Sequence, residues 1–173
     1  MRDQIVAGNW KMNKTQDQAL TLVKELQGLI AQKQPVADKV IVAPPYPYLG
    51  ELSGLTTHTE GLYVAAQNCH EEISGAYTGE ISAVMLQSLG VNYVILGHSE
   101  RREYFNETNQ QLEQKVKAVL AHELLPIFCC GEPLEVREAN QQQEYVNHQL
   151  TESLFQLDEQ SFSKLVLAYE PIW

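Results

Sequence analysis

The chain has 173 residues, of which 12 are basic and 22 acidic, for a formal charge of -10, and 44% are hydrophobic. Such acidity argues against nucleic acid or an anionic membrane as a general partner, so an anionic substrate would need a local positive pocket. The length suits one domain that buries about 70% of its unfolded surface without help from disulfides or metal, and no stretch approaches the roughly 20 apolar residues of a membrane helix. Met1-Arg2-Asp3-Gln4 turns polar at once, which leads us to expect a cytoplasmic protein with no secretory leader. On that expectation the glycosylation triplet Asn106-Glu107-Thr108 has no consequence.

Residues 5–8 form a short apolar run that predicts a first strand and ends in Gly8-Asn9-Trp10-Lys11. Ala19, Leu22, Val23, Leu26, Leu29 and Ile30 then recur at three- and four-residue steps, the period of a helix, and Thr15 with Gln18 offers a capping box at its start. A second strand, 40–43, stops at Pro44-Pro45, because proline lacks the donor a sheet needs and restricts the residue before it. A short helix is expected over 48–55 and a third strand over 62–66, followed by a long polar loop, 68–79. Ile81, Val84, Met85 and Leu89 predict a helix that Gly90 stops. Tyr93-Val94-Ile95-Leu96 has no polar alternation and so reads as a strand buried on both faces, the habit of parallel sheets covered by helices. It ends in Gly97-His98-Ser99-Glu100-Arg101-Arg102. Leu112, Val116, Val119 and Leu120 place a helix up to Glu123; 126–132 is a fifth strand and its exit, 134–157 the longest helix, and 165–169 a sixth strand.

Strand and helix alternate without linker or low-complexity tract, the pattern of a single parallel α/β domain. An open nucleotide-binding sheet would carry a glycine-rich phosphate loop, and neither G-x-G-x-x-G nor G-x-x-x-x-G-K-[ST] occurs. Polar residues instead gather past every strand: Asn9 and Lys11, Gln67 and Asn68, His98 to Glu100, Glu132, and Glu170. A closed barrel brings all its strand ends to one rim, so the exits favour a barrel.

Ala7-Gly8-Asn9-Trp10-Lys11-Met12-Asn13, the stretch from Gly97 to Arg102, and Ala168-Tyr169-Glu170-Pro171-Ile172-Trp173 together resemble the triosephosphate isomerase family. Ala66-Gln67-Asn68, Gly75-Ala76-Tyr77-Thr78-Gly79-Glu80 and Cys129-Cys130-Gly131-Glu132 are similar to it too, with Cys130 where an aliphatic residue is more usual. The resemblance covers the whole chain. It implies a TIM (β/α)8 barrel, of which this chain supplies about the first six strand-helix units, and interconversion of dihydroxyacetone phosphate and glyceraldehyde 3-phosphate through an enediolate. By the same resemblance Glu170 is the carboxylate base, His98 the electrophile that polarises the carbonyl, Lys11 the cation for an anionic substrate, and Asn9 a donor at the same oxygen. Glu100 looks like a supporting carboxylate near Lys11, while Ser99 offers a hydroxyl, a backbone N–H or a plain helix cap. A base of this kind is expected partly dry, so that its proton affinity rises. The family also implies a homodimer through loop 68–79, and no cofactor.

His58, His70, His122 and His148 lack paired ligands at metal spacing, so no metal is expected. Cys69, Cys129 and Cys130 read as reduced thiols; the neighbours in the strand face opposite ways. A barrel of this class has about 250 residues. The chain is therefore expected to lack the last two units, leaving the first and sixth strands as apolar edges that invite association. The alternative expectation is a catalytically inactive fragment or assembly module that needs a complementary C-terminal segment.

Overall fold

The computed structural model describes residues 3–32 and 37–173, so Met1 and Arg2 of the polar opening lie outside the described residues. The chain divides into two compact units, one of 1–67 with 84–93 and the other of 68–83 with 94–173.

In the first unit the strands β1 (Ile5–Asn9), β2 (Lys39–Ala43) and β3 (Leu62–Ala66) run parallel in sequential order. Ile5 stands opposite Lys39 and Asn9 opposite Ala43, while Val40 stands opposite Leu62. Helix α1 (Gln16–Gln32) follows the expected pattern, with Ala19 and Val23 fully buried, although Leu29 at its far end is exposed. At its start Thr15 N–H donates to Gln18 Oε1, one half of the expected capping box. The short helix appears as a 3-10 turn, Tyr46–Tyr48, running into α2 (Leu49–Thr56). Leu49 and Leu52 of α2 join Ile41 and Val64 in the core.

The helix predicted around Ile81 to Leu89 is α3 (Ala83–Ser88), and its buried side is not the expected one. Ala83 and Leu86 are fully buried, whereas Val84, Met85 and Leu89 are exposed. Its end is as expected: Gly90, at φ 75°, donates to Gln87 O and Val91 to Leu86 O, the paired bonds of a Schellman cap.

The second unit takes in residues 94–96 of β4 (Tyr93–Leu96), then β5 (Leu125–Cys130) and β6 (Val166–Tyr169), again in sequential order, with β5 and β6 parallel. A short helix not foreseen, α4 (Ser99–Tyr104), precedes α5 (Asn109–Ala121), whose Leu112, Val116 and Val119 are fully buried. The expected long helix over 134–157 is instead α6 (Leu134–Glu138) and α7 (Gln142–Leu154), with α8 (Glu159–Phe162) beyond. The break is Asn140, which adopts φ 58° while its N–H donates to Arg137 O and Gln141 N–H to Val136 O. Asparagine tolerates the left-handed region that ends a helix, so a polar stretch that looks continuous stops there. On α7 the buried residues are Gln149, Ser153 and Leu154.

Candidate active site

Each predicted residue stands at the end of a strand or just past it. In the first unit β1 ends at Asn9, and Lys11, two residues on, has φ 52°, a left-handed backbone that a long side chain adopts at a cost of roughly 1–2 kcal/mol. Its backbone is held at both ends. Lys11 N–H donates to Asn9 Oδ1 at 2.9 Å, and Gln67 Nε2, just past β3, donates to Lys11 O and to Ala43 O, each at 2.8 Å. With Asn9 Oδ1 turned to the Lys11 N–H, the amide nitrogen is the donor that Asn9 has for the oxygen of a ligand.

In the second unit β4 gives way to Gly97 at φ 72°, where an added Cβ would lie 3.0 Å from Leu112 and 3.2 Å from Cys129 O. Arg102 reaches back, Nε donating to Gly97 O at 2.8 Å and Nη1 to Asn109 Oδ1 at 2.7 Å. Burial lowers the proton affinity of this guanidinium. The Arg102 contacts fix the turn that delivers His98. His98 itself, rather than Ser99, caps α4: its Nδ1 accepts from Glu100 N–H at 3.2 Å. An amide donor at Nδ1 makes that nitrogen the acceptor, so a neutral ring carries its proton on Nε2. Glu100 Oε2 lies 3.6 Å from the same Nδ1.

Below α4 sits a buried charge cluster that nothing in the pattern announced. Glu107 pairs with Lys115, whose Nζ also donates to Asn68 Oδ1 at 3.1 Å, and Arg101 Nε donates to Glu107 Oε1 at 3.3 Å. Cys69 is fully buried beside this cluster, and burial pushes its thiol up to about 12. The loop thiol is thus inert rather than reactive. Burial likewise holds the Cys129 thiol up at about 12.

Glu170 follows β6, its N–H donating to Cys130 O at 3.0 Å, while Ile172 N–H donates to Glu132 O at 3.1 Å. The β5 exit and this segment touch so closely that a Cβ on Gly131 would lie 1.8 Å from Glu170 O. Glu132 is fully buried and accepts from Tyr169 Oη at 2.9 Å, a bond that raises the Tyr169 proton affinity. The expectation of a partly dry base is not met: Glu170 is exposed, as are Ile172 and Trp173 after it. Asn9 and Lys11 belong to the first unit, and His98, Ser99, Glu100 and Glu170 to the second. Among the described residues no three His, Cys, Asp or Glu side chains gather as a metal ion would require.

A family profile described as "Triosephosphate isomerase" matches residues 4–173. The chain belongs to the triosephosphate isomerase family. It is 51% identical to the triosephosphate isomerase of Cytophaga hutchinsonii and 53% identical to that of Bacteroides fragilis, in each case over all of this chain and 68% of the relative. The crystal structure of triosephosphate isomerase from Bartonella henselae superposes with a TM-score of 0.86 at 34% identity, over 98% of this chain and 68% of that one. The fold is therefore the α/β TIM barrel of triosephosphate isomerase, represented here by six of its strands. Sequence reasoning passed over Gln67, Arg102 and Gly131 as functional groups. A polar side chain at a strand exit was a signal for Gln67, but only the fold shows whom it serves.

Proposed function

We propose that this chain carries the aldose–ketose isomerase activity of its family, interconverting dihydroxyacetone phosphate and glyceraldehyde 3-phosphate. Glu170 takes a proton from the carbon beside the substrate carbonyl, and His98 donates from Nε2 to the carbonyl oxygen as charge develops there. The resulting enediolate is reprotonated by Glu170 on the neighbouring carbon, while His98 passes the other proton between the two oxygens. Lys11 supplies a positive charge to the anionic substrate and the enediolate, Asn9 donates from its amide, Glu100 supports the imidazole through its N–H, and Ser99 offers a hydroxyl or backbone N–H. The observation that carries this reading is the Glu100 N–H bond to His98 Nδ1, since it leaves the donor nitrogen for the substrate.

Two further features belong to the same proposal. The enzyme acts in the cytoplasm without a cofactor, in glycolysis and gluconeogenesis; among the described residues no helix is long and apolar enough to cross a membrane. It works as a homodimer through loop 68–79, which is ordered by His70 N–H donating to Ile81 O and by the Tyr77 ring 4.5 Å from that of His70, and which exposes Ile73 and Tyr77.

The test is turnover of glyceraldehyde 3-phosphate by the chain extended to the length of its relatives. His98→Ala and Glu170→Ala should each lower kcat by about two to four orders of magnitude with an unchanged circular dichroism spectrum. A loss below tenfold in either variant removes that residue from the chemistry.

A further inference from the structure

We infer that Gln67 is a positioning residue for Lys11: its amide holds the lysine backbone in the left-handed region and so sets where the ammonium is presented. This rests on the proposal that Lys11 meets the anionic substrate. A lysine at φ 52° is unusual, since side chains other than those of glycine, asparagine and aspartate disfavour that region. Such strain persists only where the surroundings over-determine it. Here they do so through three bonds. The Lys11 N–H is taken by Asn9 Oδ1, and the Lys11 carbonyl is taken by Gln67 Nε2, whose other hydrogen goes to Ala43 O. Ala43 is the last residue of β2, register partner of Asn9, and its carbonyl also accepts from Trp10 N–H at 3.1 Å.

One side chain from the end of β3 therefore ties the loop after β1 to the rigid end of β2. Both hydrogens of the Gln67 amide are spent on carbonyls, so Gln67 acts through the backbone of Lys11. Without it the Ala43 carbonyl keeps Trp10, but the Lys11 carbonyl loses its bond to Gln67, and with it a restraint that holds the peptide away from ordinary φ. A relaxation of that kind swings the direction of the Cα–Cβ bond, and a long side chain carries the change out to its tip.

The experiment is a double-mutant cycle in the chain extended to the length of its relatives, reading kcat/KM and competitive inhibition by inorganic phosphate. Gln67→Met keeps the length and removes both donors; Gln67→Asn keeps the amide but withdraws it, and serves as a second variant should the first fold poorly. Lys11→Met alone should weaken phosphate inhibition, and Gln67→Met should lower kcat/KM and weaken inhibition by about tenfold, the scale of one lost hydrogen bond. In the Lys11→Met background Gln67→Met should then have no further effect, because residues acting through one another are not additive. Full additivity, or an unchanged kcat/KM in both Gln67 variants while Lys11→Met is impaired, overturns the inference and leaves the role of Lys11 standing. Unchanged inhibition in Lys11→Met overturns the role of Lys11, and the inference with it.

Discussion

At the scale of single residues, local chemistry names the reactive groups and their surroundings decide how each behaves. Cys69 is the plainest case. The sequence reads it only as a reduced thiol in a polar loop, and the structure buries it fully and raises its proton affinity from 9.0 to about 12. A group whose folded value lies above its unfolded value contributes stability that is complete below the unfolded value and lost as pH rises through the folded one. The contribution of Cys69 should thus hold up to about pH 9 and be lost progressively toward pH 12. Urea midpoints at pH 8 and pH 10.5 check this: Cys69→Ala should lower the midpoint at both, but with a smaller drop between them than the parent shows. An equal drop in parent and variant would mean that Cys69 is not the group titrating. Ser99 shows the same division: the hydroxyl suggested a cap, but the ring of His98 takes the Glu100 N–H.

Among the elements, runs of apolar residues located all six strands to within one or two residues, because a strand leaves a short, dense and readable run; β4, buried along its whole length, is the plainest. Helix ends were harder. Asn140 and Glu123 both adopt left-handed φ at helix ends, and neither is glycine, so the break between α6 and α7 carried only a weak signal. The apolar side of α3 was misread because Val84, Met85 and Leu89 follow helical spacing while Leu86, on the other side, is what the core takes. The close approach of the β5 exit to the segment after β6 yields its own expectation. Gly131→Ala places a methyl where Glu170 O stands, so the backbone carrying Glu170 must shift. A misplacement of about 1 Å costs on the order of a hundredfold in rate. Gly131→Ala should therefore lower kcat far more than it changes KM, measured in the extended chain; parallel changes in the two, or none, would show that Glu170 tolerates the displacement.

For the molecule as a whole, the length shortfall read from the sequence agrees with the comparisons, in which the chain spans 68% of the length of its relatives. The strands expected as open edges do expose apolar side chains, Val6 in β1 at 60% and Leu167 in β6 at 46%. Association through loop 68–79 makes the last prediction. Tyr77, exposed at 45% on a loop braced by His70, is the anchor to remove. Sedimentation of the extended chain at micromolar concentration should give a dimer, and Tyr77→Asp should shift it to monomer; a monomeric parent would remove the loop as an interface.

The sequence by itself determined the alternation of strand and helix, the strand exits that carry Asn9, Lys11, His98 and Glu170, and the family, because each rests on residues close together along the chain. Only the tertiary structure decided that Gln67 holds Lys11, that Arg102 holds the turn before His98, that Glu107 and Lys115 pair out of water, and that Gly131 leaves room for the backbone of Glu170. These partners stand between 5 and 56 positions apart, and the farther pairs meet only when packing brings strand ends together. Periodicity reports which face of an element is buried, but it carries no record of which distant side chain will satisfy a backbone group left there.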